Sequence, residues 1–340
     1  MQEFVNLLWY PKGYSDTQSK GLWLLFKLVQ LLLWPLSLLF AGIAALRRSL
    51  FKLGVKKQSG LPVPVIVVGN ITVGGSGKTP TVIYLIELLR QNGYKPGVIS
   101  RGYGVSFEGV KSVLPSMSAR DVGDEPAMIV GRTGVPMVIG RNRIDAGEHL
   151  LTHFNVDVII SDDGLQHYAL GRDIELLILD GQRRFGNGLL LPAGPLREGL
   201  WRVKQVDAVV VNGGQSFEGE HAMSLAQSAL KPVAHSDEQA PALDEAVVAI
   251  AGIGNPQRFF TSLIDAGFNL NRVKAFEDHQ AYCEEELTEF CGDLPIIMTE
   301  KDAVKCRDFA KQNWWYLPVD AKLSSNFDRL ILDKLKRWQS

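Results

Sequence analysis

Cysteine is scarce in this chain: Cys283, Cys291 and Cys306 are the only three in 340 residues, and all lie in the last quarter. None forms a CxxC pair or has the spacing of a zinc site, which excludes a disulfide scaffold and a thiolate metal centre. They read as reduced packing residues on the cytosolic side of a cell. Net charge is almost absent too, at −1 from 36 basic and 37 acidic side chains. No global basic field therefore points to nucleic acid as a partner. Internal repeats and low-complexity tracts are missing, and nothing marks an obligate protein partner. What remains is ordinary globular composition, 46% hydrophobic and 21% charged, with length for about two domains and a sizeable core.

Charge also disappears locally. Residues 28–46 carry none, and only Gln30 and Ser37 are polar there. As a helix this run rises about 28 Å against a hydrocarbon core of about 30 Å, enough to cross a bilayer. Pro35 would kink it and Lys27 could snorkel, so a tilted or half-inserted helix is an equal reading. A buried core helix and a cleaved signal peptide are the competitors. The second fits poorly, because mixed residues precede the run and it exceeds a signal core in length. Arg47, Arg48, Lys52, Lys56 and Lys57 follow, and a basic flank places the remaining chain on the cytoplasmic side, near anionic headgroups.

The most informative stretch is Thr72-Val73-Gly74-Gly75-Ser76-Gly77-Lys78-Thr79, directly after the apolar run 63–69. It reads as a phosphate-binding loop. Gly74, Gly75 and Gly77 let successive N–H groups point into one concavity, with Ser76 among them. Lys78 can reach the β and γ phosphates, and the Thr79 hydroxyl can ligate Mg²⁺ at the start of a helix. One position departs from the pattern, which wants glycine where Thr72 stands.

Downstream, residues 80–91 have helical spacing. Short β-branched runs recur at 97–100, 135–139, 156–161, 174–180 and 207–212. This alternation predicts an α/β fold, a P-loop NTPase-like, mostly parallel sheet with helices on both faces. Residues 1–57 would be a membrane-associated helix with its basic flank, and 58–212 the nucleotide-binding domain. The polar stretch 213–245 reads as a linker or hairpin, and 246–340 as a smaller C-terminal α/β domain. Its Gly252-Ile253-Gly254 is a tight turn more readily than a dinucleotide fingerprint, since Gln257 takes the third glycine position.

Acidic residues supply the next candidates. An apolar strand ends at Asp162-Asp163, where two mutually repelling carboxylates suit a metal; the alternative is a helix cap. Gly123-Asp124-Glu125-Pro126 is a second acidic turn, weak on its own. Asp278-His279 is by itself no more than a surface turn. Arg101 and Tyr103, in a loop after a strand, and Arg197, with Glu198 beside it, could face phosphate oxygens, or could be solvated loop residues.

Taken together, GNITVGGSGKTP (69–80), SRGYG (100–104), GDEP (123–126), SDDGLQH (161–167), LPAGPLRE (191–198) and EDH (277–279), behind an apolar N-terminal helix, resemble the tetraacyldisaccharide 4'-kinase family. Members of that family accept Ser or Thr before Val-Gly-Gly, so Thr72 conforms. The resemblance implies transfer of the γ-phosphate of ATP, with Mg²⁺, to the 4'-hydroxyl of an acylated glucosamine disaccharide 1-phosphate. The reaction would run at the cytoplasmic face of the inner membrane, in lipid A biosynthesis. It further implies Lys78 and Thr79 on phosphates and metal, Asp162 and Asp163 organising the metal, and Asp124 as base supported by His279. Glu125, Gln166, His167, Arg197 and Glu198 match further active-site positions. His279 would have to arrive from the second domain, making closure part of catalysis. The rival class is a membrane-associated P-loop ATPase or GTPase switch, to which Thr299-Glu300-Lys301-Asp302 lends a displaced likeness of a guanine-reading motif.

Overall fold

Apolar β-branched runs become fully buried strands, and the polar and glycine-rich ends of those runs become the functional loops. The computed structural model describes residues 2–11, 20–234 and 237–339. Helices α1 (Gln2–Trp9) and α2 (Lys20–Lys52) precede β1 (Val65–Gly69) and α3 (Lys78–Gln91). Next come β2 (Pro96–Ser100), β3 (Val110–Ser112), α4 (Ala119–Val122), α5 (Asp124–Thr133), β4 (Met137–Gly140) and α6 (Arg143–His153). Strands β5 (Val158–Asp162), β6 (Ile174–Asp180), β7 (Ala208–Asn212), β8 (Glu220–Gln227) and β9 (Lys231–Pro232) follow. The last stretch holds β10 (Ala246–Ala251), α7 (Pro256–Asp265), β11 (Asn269–Ala275), α8 (Glu284–Cys291), β12 (Ile296–Thr299), α9 (Glu300–Cys306), β13 (Trp314–Leu317), β14 (Val319–Lys322) and α10 (Ser325–Gln339).

The chain divides into two units, each assembled from separate stretches. The first joins Met1–Lys78, Asp163–Met223 and Leu323–Ser340. Here β1, β6 and β7 pair in parallel, and β7 pairs in parallel with the start of β8. The parallel strands β1 and β7 are buried at every residue, which is why they read as continuous apolar runs. Helix α10 buries Phe327, Ile331 and Leu335, a single stripe at the helical period of four. Helix α3 starts at Lys78 rather than at Pro80; Pro80 is tolerated there because the first N–H groups of a helix have no intrahelical acceptor.

The second unit joins Thr79–Asp162 and Ser224–Lys322. One run of strands has β5, β2 and β4 parallel and β3 antiparallel to β4. The other, smaller sheet has the order β11-β10-β12-β13-β9, all parallel except β9. Its two faces are both covered. Val248 and Ile250 of β10 pack with Leu287 and Cys291 of α8 and Cys306 of α9, whereas Val247, Ala249 and Ala251 pack with Phe259, Phe260 and Leu263 of α7. Alternate side chains of one strand thus serve opposite cores. Two cysteines, Cys291 and Cys306, are such packing residues, and Cys283 is exposed and unpaired.

The polar stretch 213–245, of which residues 235–236 lie outside the described set, carries strands β8 and β9. In β8 only Met223 is buried, and Ser224–Gln227 pair antiparallel with β14. A polar edge-type strand of this kind lacks the apolar run that marks the central ones. Helix α2 is long and apolar enough by length and composition to cross a membrane. Within Trp23–Lys52 only Phe26 and Ser37 are buried.

Candidate active site

In the first unit, β1 runs into the glycine loop, and the loop's shape is set by bonds from three directions. Asn70 donates from Nδ2 to Gly74 O (3.2 Å) and to Ser76 Oγ (3.3 Å), while Asn212 Nδ2 donates to Ser76 O (3.2 Å). The LPAGPLRE segment lies alongside, with Val73 N donating to Pro195 O (2.9 Å) and Arg197 N to Ile71 O (2.7 Å). Thr72 forms a β-bridge with Leu196. That bridge explains why Thr72 replaces the usual glycine: extended backbone suits a β-branched residue. Gly77 is different. It sits at φ +98°, and an added Cβ would collide with the Asn212 amide, so only glycine fits. Gly74 has φ +104°, and the Arg183 guanidinium lies 3.8 Å from where its Cβ would stand.

Asp163, in the first unit with the loop, faces its lysine. Asp163, at φ +48°, turns the chain out of the strand direction into a left-handed conformation that is uncommon for any residue but glycine. Its carboxylate faces Lys78 Nζ (3.5 Å) and Arg197 Nη1 (3.4 Å). Burial pushes this carboxyl up, but Lys78 and Arg197 outweigh burial and hold it below the ordinary aspartate value. Asp162 is fully buried, and its carbonyl accepts from Arg143 (3.1 Å). Gln166 spans Asn70 O (3.1 Å) and Glu198 Oε2 (2.9 Å), and Tyr168 also donates to Glu198. Burial raises the Glu198 carboxyl, only partly offset by Gln166 and Arg202. His167 caps a turn through its backbone, N to Gly164 O at 2.9 Å. Gln166 and Glu198 therefore brace the loop and the LPAGPLRE segment against each other.

The second unit holds a different kind of centre. Helix α5 begins at Asp124, and one oxygen of its carboxylate, Oδ2, is hydrogen-bonded to His279 Nδ1 at 3.1 Å and ion-paired with Lys305 Nζ at 3.7 Å. Among the described residues Oδ1 has no protein partner. Burial pushes the Asp124 carboxyl up, yet the His279 hydrogen bond, Lys305 and Lys301 together leave it lowered. His279 has φ +65°, and its ring lies 5.2 Å from that of Tyr103. Both rings line a cavity of about 280 Å³ with Arg120, Asp124, Tyr282 and Lys305. Glu125 faces Lys301 at 3.5 Å. Arg101 is exposed and bonds to none of these groups.

Three groups of this centre were not expected in it: Lys305 carried no sequence signal, and Lys301 and Asp302 stood out only as part of a guanine-reading likeness. Lys301 and Lys305 lie four residues apart on α9, hence on one face, and Asp302 anchors them from behind. Its buried carboxylate accepts from Thr299 Oγ1 (2.6 Å), Tyr282 Oη (2.7 Å) and Gly252 N (3.0 Å), and Lys305 is 3.2 Å away. The Tyr282 hydroxyl is held in its neutral form by burial and by Asp302. Every lone pair of Asp302 is thereby committed inside the fold, so Thr299–Asp302 cannot read a guanine base.

The loop fits a triphosphate: glycine backbone at positive φ, a cradle that a Cβ would fill, and Lys78 at the helix start. Among the described residues no cluster of three or more His, Cys, Asp or Glu could hold a metal alone. Mg²⁺ in such sites takes one or two carboxylates, waters and phosphate oxygens; Asp163 of the first unit, and Thr79 and Asp162 of the second, are each hard oxygen donors of that chemical type. Fold and loop together define a P-loop nucleotide-binding protein. The family model "LpxK: Tetraacyldisaccharide-1-P 4'-kinase" matches residues 29–336, and the chain belongs to that family. A tetraacyldisaccharide 4'-kinase of Shewanella sediminis is 90% identical over 99% of this chain and 100% of its own length. One from Shewanella piezotolerans is 60% identical over 99% and 98%. A crystal structure of LpxK from Aquifex aeolicus, described as an "apo" form in complex with ATP, is 30% identical with a TM-score of 0.74, over 90% of this chain and 99% of that one.

Proposed function

We propose that the protein is a Mg²⁺-dependent kinase that moves the γ-phosphate of ATP to the 4'-hydroxyl of a tetraacylated glucosamine disaccharide 1-phosphate in lipid A biosynthesis. Within a family of that name, the observation that carries the acceptor chemistry is Asp124, which lines a cavity with its Oδ2 bonded to His279 and 3.7 Å from the Lys305 ammonium. Such a base suits a kinase, whose acceptor hydroxyl must lose a proton. The acceptor oxygen forms its bond to phosphorus as the β–γ bridge breaks, ADP leaves, and the hydroxyl proton passes to Asp124 Oδ1. Thr72, Gly74, Gly75, Ser76 and Gly77 shape the phosphate cradle, and Lys78 neutralises the transferring group. Thr79, Asp162 and Asp163 would hold Mg²⁺, which supplies charge neutralisation on the phosphates. Arg197, Gln166 and Glu198 keep Asp163 and the loop in place. Arg183, beside Gly74, adds a further cation. Arg101, Tyr103, Glu125 and His167 support substrate or site.

The test is direct. Purified protein with γ-labelled ATP, Mg²⁺ and detergent-dispersed disaccharide 1-phosphate should place label in the lipid, with Lys78→Ala as control. Label released only as inorganic phosphate, with or without lipid, would favour the switch and end this reading.

The substrate's acyl chains stay in the bilayer, so the site must come to the membrane. We infer that α2 lies along the cytoplasmic interface of the inner membrane instead of crossing it. Ser37, midway along its apolar run, donates to Leu190 O (2.9 Å) and accepts from Ala193 N (3.1 Å). A spanning helix would carry that loop into hydrocarbon, where its irregular backbone could not be satisfied. The end of helix α1 and the residue after it support the same placement: Trp9 Nε1 donates to Pro192 O (3.1 Å) and Tyr10 Oη to Val73 O (3.3 Å). An impermeant maleimide applied outside spheroplasts should label neither Leu28→Cys nor Leu46→Cys in a background without the native cysteines. Labelling of one end alone would show a crossing helix.

A further inference from the structure

His279 is bonded at both ring nitrogens, and its second partner decides what it can do for the first. Nδ1 lies 3.1 Å from Asp124 Oδ2, and Nε2 lies 3.4 Å from Lys301 Nζ. An ammonium has only hydrogens to offer. The geometry points to Lys301 as a positioning residue that holds His279 as the neutral Nδ1–H tautomer, so that the ring donates to Asp124 and cannot take a proton from it.

The alternatives each bring like charges or lone pairs together. The Nε2–H tautomer turns a ring N–H toward the Lys301 ammonium and leaves the Nδ1 lone pair facing a carboxylate oxygen at 3.1 Å. An imidazolium places a second full charge 3.4 Å from that ammonium. Asp278 Oδ1, the one carboxylate paired with Nε2 among the described residues, is 3.9 Å away, beyond a hydrogen bond. It is instead engaged by Lys301 at 2.9 Å. Burial works against the charge on Lys301, but Glu125 and Asp278 more than offset it, so its ammonium form is strengthened. The groups that face His279 are thus Asp124, Asp278, Lys301 and the Tyr103 ring, with Lys305 and Glu125 behind them.

Position follows from sequence. Thr299 caps α9, its Oγ1 accepting from Asp302 N at 3.2 Å, and the buried Asp302 fixes the helix start. Lys301 and Lys305 then leave one helix face, the first toward Nε2 and the second toward Oδ2. One consequence deepens the kinase reading and rests on it: the acceptor proton goes to Asp124 Oδ1 and stays there until the product departs, because His279 Nδ1 is already occupied.

Nitrogen NMR of the full-length protein, labelled with [¹⁵N]histidine in detergent micelles, tests the tautomer without any turnover. His279, assigned by its loss in His279→Gln, should show a protonated Nδ1 and a bare Nε2. In Lys301→Met the Nε2–H form should appear, and Lys301→Arg, which still donates, should restore the original pattern. In turnover Lys301→Met should lose about ten- to a hundredfold in kcat, the scale at which orienting partners of a functional histidine act, with KM for ATP unchanged. An Nε2–H ring in the unsubstituted protein would overturn the proposal, as would an unchanged ring in Lys301→Met or an unchanged kcat beside an altered ring. If label never reaches lipid while the tautomer is as stated, the kinase reading has failed and the Lys301 assignment stands.

Discussion

Lys78→Ala should lower kcat for lipid phosphorylation by about 10²- to 10³-fold while leaving the melting temperature nearly unchanged. The two halves of that expectation come from comparing magnitudes. In the resting protein Lys78 is paired with Asp163 at 3.5 Å, and the Asp163 side chain is 36% exposed. Such a pair contributes roughly 1 kcal/mol or less to stability. A preorganised cation facing charge that develops in the transition state is worth roughly 3–4 kcal/mol. Activity therefore falls where stability does not. A second effect has the same origin. Without Lys78, only Arg197 at 3.4 Å opposes the burial that raises the Asp163 carboxyl. Its ionisation then moves to higher pH, and Mg²⁺ half-saturation should weaken most at the acid end. Steady-state rates against Mg²⁺ at several pH values, with a thermal melt of the same sample, measure both. A variant that loses only affinity for ATP, at full kcat, would show that Lys78 binds the ground state and the transition state equally.

How much of this was readable in the residues depends on how far apart the partners stand in sequence. Strand β6 occupies Ile174–Asp180, the limits its apolar run suggested, because the run Leu176–Leu179 is buried on both faces and reads as continuous apolar sequence. The glycine loop was equally plain, since strand, turn and helix are contiguous. Thr72 was not. Its role is a bridge to Leu196, and no local pattern announces a pairing across so much chain. Ser37 looked like a tolerated polar residue in an apolar helix, whereas it both donates and accepts at the 190–193 loop. Lys305 escaped notice for the same reason, and Lys301 stood out only within a guanine-reading likeness. Their meaning lies in Asp278, Glu125 and Asp124, all supplied by other elements, and a lysine on a short helix is by default a solvated one. His279 was expected to reach Asp124 through domain closure; the hydrogen bond is already made at 3.1 Å, inside the second unit.

Asp124→Ala is expected to cost about 10²- to 10⁴-fold in kcat, the usual contribution of a base that takes a proton in the transition state. Loss of all activity is not expected, because phosphoryl transfer draws mainly on positioning and charge neutralisation, which Lys78 and the metal site retain. The pH dependence separates this residue from a merely structural acid. The Asp124 carboxyl is held below its ordinary value by the His279 hydrogen bond, Lys305 and Lys301, acting against burial. A lowered carboxylate keeps its ionised form down to more acid pH, so the acid limb due to Asp124 should lie on the acid side of an ordinary aspartate's. By the same sign its contribution to stability is present above the unfolded-state value and is lost as pH falls through the folded one. Lys305→Met removes one of those cations, 3.7 Å from Oδ2, and should move the limb toward neutrality. His279→Ala should do so too, with a smaller loss of kcat than Asp124→Ala, since His279 acts only through Asp124. The double variant should then lose little more than Asp124→Ala alone. Fully additive losses would mean that the two side chains act independently, and the 3.1 Å bond between them would carry no catalytic weight.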